Sequence, residues 1–440
     1  MPTIRPKDML PSDVAKDLHS ERPHPTPVGV KKRVLPLFLL LMGPGLLAMI
    51  GDNDAGGVVS YAATGIQFGW FLFLPILLLL APVTYTIQEM TMRLGLVSQR
   101  PFPVLVIERF GRFWGYFSLL SLLAENLLTL MTEFIGMSIG LSVLGIPFMT
   151  ADLISLVLVG VFALVGKYWT KERLALLVGV LNVVFVAVAW LAHPDGAAMA
   201  HTFSSLQIIR NQSNLFLFYA IATVGNAVAP WMIFFQGSAV IDKGMTHTDL
   251  RYGRMDTALG SVVQVVIAAS IIVCGAALHL YSVHHPAVLS APVAMLHGYL
   301  VQNGAWVRDL FALGLFNAGF LASITISLST SWTFAGVFGW AKSLDDHFRQ
   351  APKFYGLYIG GLVLAALLVL LPQLPLTFLA VLTQVIAGVL MVPLLVLMTR
   401  LTSSEPLMGM YRNSRLTKWR AWTIVAVMAA LTLWLLLHLL

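Results

Sequence analysis

Eleven stretches of this chain run apolar for about the 20 residues that a helix needs to cross a bilayer. They lie near residues 34–66, 68–92, 114–143, 150–166, 174–192, 213–241, 257–284, 305–340, 354–372, 375–398 and 421–440. The connections between them are short and leave no room for a second folded domain. Segments of about ten residues with alternating polarity, the mark of a membrane β-barrel, are missing. The pattern predicts an all-α polytopic membrane protein with a single transmembrane domain over 34–440. Residues 1–33 are polar and Pro-containing and lack an apolar core, so they read as a cytoplasmic tail and not as a cleaved signal peptide.

Two of the apolar runs are interrupted. In the first, Met42-Gly43-Pro44-Gly45-Leu46-Leu47-Ala48-Met49-Ile50 gives way to Gly51-Asp52-Asn53-Asp54-Ala55-Gly56-Gly57 before Val58 resumes the run. A carboxylate at this depth costs about 2.5–3.5 kcal/mol on insertion scales. Irregular backbone there is tolerated only where it is buried in protein or lines a cavity. The sixth run repeats the interruption as Gly225-Asn226-Ala227-Val228-Ala229-Pro230-Trp231, where Pro removes a backbone donor and frees carbonyls one turn earlier. Broken spans at matching positions of two halves point to a secondary transporter with inverted repeats and a site near the midplane. The repeats would be 34–192 and 213–398, with 421–440 as an extra helix.

Composition narrows the class. Of 440 residues, 58% are hydrophobic and 11% charged, and the mean hydropathy is +0.83. A soluble domain carries about 25% charged residues, so a soluble fold and a disordered chain are both excluded. The net charge of +7 does not indicate nucleic acid. With the N-terminus placed in the cytoplasm, 25 of the 27 Lys and Arg residues fall in cytoplasmic segments, and only Arg210 and Arg308 fall outside. That is the positive-inside rule, and it predicts a multi-pass plasma (inner) membrane protein with the C-terminus outside. The single cysteine, Cys274, excludes a disulfide framework and a thiolate-rich metal site.

The candidate chemistry lies in the breaks. Asp54 reads either as the cap of the second half-helix or as the carboxylate ligand of a cation. Asn226 can offer its side-chain oxygen or its carbonyl, or simply brace the broken helix. Ala229 can contribute only space or a freed carbonyl. Gln384 is a mid-span amide whose competing role is an interhelical hydrogen bond. Asp52 is expected either to add field at the site or to face an aqueous entrance, and Glu133 either to attract cations near a vestibule or to be a buried structural carboxylate. Glu125 lies eight residues before Glu133, and Glu89 reads as structural or gating. The stripe Ser323, Thr325, Ser327, Ser329, Thr330, Ser331 reads as helix packing, and His279 and His297 lie near span boundaries. With no nucleophile, metal-ligand His cluster or cofactor motif, the chain does not read as an enzyme.

These residues resemble the natural resistance-associated macrophage protein (NRAMP) family of divalent-metal transporters over about residues 34–420. The resemblance rests on Gly43-Pro44-Gly45, the break Asp54-Ala55-Gly56-Gly57, and the exit Gly65-Ile66-Gln67-Phe68-Gly69-Trp70. It continues through Arg93-Leu94-Gly95-Leu96-Val97, Glu133-Phe134-Ile135-Gly136, Gln384-Val385 with Pro393-Leu394, Leu407-Met408-Gly409, and Asn413-Ser414-Arg415. It implies a LeuT-type fold and a metal site built from Asp54, Asn226, Ala229, Gln384 and the backbone at Gly57.

The departures from the family pattern bear on the chemistry. Gly57 stands where the family has a ligating Asn. Ala229-Pro230-Trp231 stands where it has Met-Pro-His, a second family His falls at Gln236, and the Asp tied to proton transfer falls at Leu130. These replacements resemble the NRAMP-related magnesium transporters, a branch that carries Mg²⁺ and also Mn²⁺. Thioether sulfur favours softer metals, whereas carboxylate, carbonyl and water suit Mg²⁺ and Mn²⁺. Mg²⁺ also tends to keep several waters, and losing two side chains is expected to make room for a hydrated ion. Met232, one turn past Ala229, is the remaining sulfur that a shifted break could bring inward.

The expected activity is therefore alternating-access transport of partly hydrated Mg²⁺, and of Mn²⁺, without proton coupling. The ion is substrate, and no cofactor, nucleic acid or obligate protein partner is expected. The alternatives are a proton-coupled Mn²⁺/Fe²⁺ importer and a Na⁺-coupled amino-acid carrier of the same fold.

Overall fold

The computed structural model describes residues 43–164, 168–194, 213–290, 292–341, 344, 346, 348–371 and 376–439. The tail 1–33, the start of the first span and Arg210 lie outside the described residues. Among the described residues all regular structure is helical.

The first span is two helices, α1 (Pro44–Gly51) and α2 (Ala55–Phe68). Spans two to four are α3 (Phe73–Ser98), α4 (Arg112–Ser142) and α5 (Phe148–Leu164). Span five is α6 (Tyr168–Val180) and α7 (Val184–Ala192), joined by a 3₁₀ turn at Leu181–Val183. Span six is again in two pieces, α8 (Ser213–Ala227) and α9 (Pro230–Asp242). Spans seven to eleven are α10 (Leu250–Ala276), α11 (Ala305–Phe338), α12 (Pro352–Val369), α13 (Leu376–Thr402) and α14 (Arg415–Leu439).

Nine spans among the described residues are long and apolar enough to cross a membrane. The other two of the eleven are the interrupted first span and α5, which has 17 residues. The largest boundary difference is at span seven, expected over 257–284. It starts earlier, behind a capping box in which Thr246 and Asp249 exchange hydrogen bonds. It stops at Ala276, and a separate short helix, His279–His284, follows. His279 there places Nδ1 2.6 Å from the Ile66 carbonyl oxygen.

The outer helices show why so few charges suffice. On α5, Met149, Leu153, Val157, Val161 and Leu164 are exposed while Ala151, Ser155, Val159 and Phe162 are buried. This is a helical stripe turned outward with apolar side chains, as lipid requires. Inside, α4 packs along α11, α10 lies against α1, α2 and α3, and α13 lies against α8 and α2. The two interruptions sit within this ring.

Candidate functional site

A broken helix strands amides and carbonyls that must find partners when buried. In the first span the break is Asp52-Asn53-Asp54, with Asp54 in extended conformation (φ −74°, ψ 170°) as the N-cap of α2. Its Oδ1 accepts from the Gly57 amide at 2.5 Å. Glu133 on α4 takes the neighbouring amides, Ala55 N at 2.7 Å and Gly56 N at 3.5 Å, and also accepts from the Thr132 hydroxyl at 3.2 Å. The positive end of α2 thus rests on two carboxylates, which its dipole favours. The same device starts α1, where Asp256 accepts from Gly43 N (2.9 Å), Gly45 N (2.7 Å) and Leu46 N (3.2 Å). At the far end of α1, the Ile50 carbonyl accepts from Asn53 N at 3.3 Å and from Asn182 Nδ2 at 3.4 Å.

In the sixth span, α8 ends at Ala227 and Ala229 is extended (φ −76°, ψ 142°). Pro230 opens α9 at the position where its missing N–H costs nothing. The freed Ala227 carbonyl is not left alone: Gln264 Nε2 donates to it at 2.9 Å and Thr84 Oγ1 at 3.3 Å. The same Gln264 Nε2 donates to Asp52 Oδ2 in the other break. The Gln264 carbonyl accepts from Asn53 Nδ2 at 3.2 Å. One residue of α10 therefore braces both breaks.

The residues expected at the site come together. Gln384 Nε2 lies 3.5 Å from Asp54 Oδ1, and Asn226 Nδ2 donates to the Gly57 carbonyl at 3.3 Å. Asn226 Oδ1 is buried without a partner. Gln384 reaches the break because Gly225 lets α8 and α13 touch backbone to backbone; a Cβ built on Gly225 would lie 2.8 Å from Gly388 N. Asp52, Asp54, Asn226, Ala229 and Gln384 are all buried. Among the described residues, no group of three Asp, Glu, His or Cys side chains forms a ready chelate, so the donor set mixes carboxylate, amide and carbonyl oxygens. Asp52, Asp54, Glu125 and Glu133 are buried together in the membrane domain, and no Lys or Arg forms an ion pair with them among the described residues. This collection of carboxyl oxygens offers the donor type that hard cations take.

The structure separates several of the open readings. Glu133 is fully buried as a helix cap, the structural alternative. Asp52 is likewise buried and bonded to Gln264. The space beside Gly57 is not open: a Cβ there would meet Asn226, and Asp54 Oδ1 at 2.9 Å. Trp231, in the place of the family His, is wholly buried, its ring 3.5 Å from a Cβ built on Gly51.

Ala229 directs its carbonyl to Met232 N at 3.2 Å, the start of the next helix. Glu89 is bound by Arg93 on its own helix (3.0 Å) and by Arg254 on α10 (2.9 Å). Glu125 accepts from the Thr129 hydroxyl at 3.2 Å, and its other oxygen has no partner. In the hydroxyl stripe, Thr325, Ser329 and Thr330 bond to backbone of their own helix, whereas the Ser323, Ser327 and Ser331 hydroxyls are buried with no hydrogen-bond partner among the described residues. The expectations missed Gln264, Asp256 and Thr84. A lone amide within Val262-Val263-Gln264-Val265-Val266 was the available signal for the first.

The sequence profile described as "Natural resistance-associated macrophage protein-like" (Nramp) matches residues 45–438. The divalent metal cation transporter MntH of Levilactobacillus brevis is 25% identical over 421 residues, covering 90% of this chain and 87% of that protein. The MntH of Pediococcus pentosaceus is 27% identical, covering 90% and 91%. The crystal structure of the Eremococcus coleocola manganese transporter bound to an aromatic bis-isothiourea compound superposes with a TM-score of 0.70. It has 21% identity and covers 94% of this chain and 90% of that one. MhsT in complex with L-phenylalanine superposes at 0.58 with 14% identity, covering 90% and 97%. These likenesses show the LeuT-type fold.

Proposed function

The chain belongs to the Nramp family, and from that premise we propose that it carries divalent metal cations across the membrane by alternating access. Asp54, Asn226 and Gln384 would be the side-chain ligands, and the backbone at Gly57 and Ala229 would complete the site. The observation that carries this reading is the meeting of Asp54 with Gln384, and of Asn226 with the Gly57 carbonyl, where the two broken helices face each other. The relatives named above are divalent metal cation transporters and a manganese transporter, which supports a metal ion as substrate rather than an organic one.

We place the chain with the magnesium-carrying branch of the family, transporting Mg²⁺ and also Mn²⁺. Every donor at the site is oxygen or can present one, the set that suits hard cations. Ala229 supplies no sulfur. The only thioether nearby in sequence, Met232, sits inside α9 and is fully buried. Because the space beside Gly57 is filled by Asn226 and Asp54, a partly hydrated ion would bind by moving Asn226 aside. Transport runs without obligatory proton coupling in this reading, since Leu130 and Gln236 occupy the positions of the family's proton-handling groups. Two charges moving inward gain about 4.6 kcal/mol per 100 mV, inside negative. The spans would be arranged as inverted repeats 34–192 and 213–398 in the plasma membrane, with the N-terminus inside.

A second reading, a proton-coupled Mn²⁺ importer, is favoured by the manganese-transporter likeness and by the extra buried carboxylates Asp52 and Glu125. Uptake of Mg²⁺, Mn²⁺ and Ca²⁺ into proteoliposomes, with internal pH followed, separates the two. The proposal expects Mg²⁺ and Mn²⁺ uptake with no acidification above empty vesicles. Mn²⁺ uptake that ignores excess Mg²⁺ and acidifies the lumen would establish the second reading instead.

A further inference from the structure

Gln264 is a polar side chain at the centre of a Val-rich run, and α10 holds it between the two breaks. Its Nε2 donates at once to Asp52 Oδ2 and to the Ala227 carbonyl at 2.9 Å. Two oxygens of this cluster, Asp52 Oδ1 and Gln264 Oε1, are buried and have no hydrogen-bond partner. Both residues are almost fully buried: Asp52 is 2% and Gln264 1% exposed. A buried acceptor without a donor costs on the order of 1–3 kcal/mol, and here two lie on bonded neighbours. Turning the Gln264 amide about its last bond exchanges nitrogen for oxygen. The carboxylate, the carbonyl and Oε1 then face one another as oxygens, an arrangement that a bound cation satisfies. The Thr84 hydroxyl already contacts the same carbonyl, at 3.3 Å.

We propose that Asp52, the Ala227 carbonyl and Gln264 form a second divalent-cation position, separate from Asp54, which the ion occupies on its way to or from the site described above. This rests on the divalent-cation reading of that site. The chemistry is that of hard cations, oxygen donors with one formal charge. One negative charge makes it weaker than a multi-carboxylate cage, as a position passed in transit must be. Gln264 thus has two orientations: as donor it ties the breaks to each other, and as acceptor it receives the ion.

The test is a pair of substitutions in the full-length protein, read by uptake in proteoliposomes and by Mn²⁺ binding followed with electron paramagnetic resonance. Gln264→Leu keeps the bulk and removes the oxygen; the KM for Mn²⁺ and Mg²⁺ should rise at least tenfold. Gln264→Glu has oxygen and added charge but no N–H. A cation ligand predicts a KM within threefold of wild type or lower, and tighter Mn²⁺ binding. A purely structural clamp predicts that Gln264→Glu is as defective as Gln264→Leu, because both lose the donor, and that result overturns the proposal. So does a KM unchanged within twofold in Gln264→Leu. If Gln264→Leu does not fold, Asp52→Asn replaces it, with the same tenfold expectation and the same refutation. Wild-type protein that moves no divalent ion would refute the proposed function. The second position is then judged by Mn²⁺ binding alone, where Gln264→Glu binding more weakly than wild type overturns it.

Discussion

Asp54 holds two roles that a single well-chosen substitution separates. It caps α2 through the 2.5 Å bond from Gly57 N, and it is the proposed charged ligand. Asn is as good a helix cap as Asp, whereas Ala at such a position costs about 1 kcal/mol. The lost interaction of charge with the α2 dipole adds about 0.3–1 kcal/mol for either substitution. The ligand role scales differently. A unit pair at 4 Å in an effective dielectric of 20 is worth about 4 kcal/mol, so a divalent ion gains about 8 kcal/mol before dehydration is counted. If roughly a sixth of that survives dehydration, the net is about 1.4 kcal/mol, or tenfold in affinity.

Asp54→Asn should therefore melt within a degree or two of wild type but lose at least tenfold in uptake efficiency. Asp54→Ala should lose the same uptake and melt lower again. For a chain of this size about 1 kcal/mol is a shift of roughly 2 °C. Thermal melts of the purified protein and initial-rate uptake on the same preparations decide it. Transport by Asp54→Asn within twofold of wild type would refute the ligand assignment. Equal melting of the Asn and Ala variants would refute the capping one.

Two further outcomes follow from the same geometry. Gly225→Ala should lower the melting temperature and the yield of monodisperse protein. Its Cβ would press on backbone of α13, 2.8 Å from Gly388 N, where no rotamer can yield, and overpacking typically costs about 1–3 kcal/mol; a melt unchanged within a degree would contradict the close approach. Ala229→Met places a thioether at the sixth-span break, so Mn²⁺ and Cd²⁺ uptake should rise at least fivefold relative to Mg²⁺, and an unchanged ratio in competition uptake would show that this position does not set selectivity.

The spans and both interruptions were legible in the sequence because their signals are local: Gly, Pro and carboxylate inside apolar runs. Asp54, Asn226 and Gln384 could be picked out for the same reason, each being a polar residue at mid-span. That Glu133 caps α2 was not legible, although a buried structural role was one of its two readings. Its role as a cap depends on α4 lying so that one carboxylate meets the amides of Ala55 and Gly56, a register set by tertiary packing. Asp256 and Thr84 are similar, ordinary polar residues in their own helices that matter only for what they face. Deleting the side chain at Gly57 suggested free space, but close packing let Asn226 and Asp54 fill it.

The polar bonds also sort the spans into bodies. Asp256 joins span seven to span one, Gln264 joins seven to one and six, Thr84 joins two to six, and Glu89 with Arg254 joins two to seven. A second set joins span three to eight through Asn126, eight to five through Asn317, and five to nine through Lys171 and Tyr355. Each body takes members from both proposed repeats, so the mechanical division runs across the internal symmetry rather than along it. Among the described residues, the bonds between the two bodies are Glu133 to α2, Asn182 to the end of α1, Tyr168 Oη to the Ala239 carbonyl at 3.4 Å, Cys274 Sγ to the Phe185 carbonyl at 3.5 Å, and the buried Lys243–Glu172 pair at 2.9 Å. Two of these end at the first break, Glu133 on the Ala55 amide and Asn182 on the Ile50 carbonyl. Relative sliding of the two bodies would therefore reach α2 and the end of α1 through Glu133 and Asn182, which couples the proposed ion grip to the boundary between the bodies.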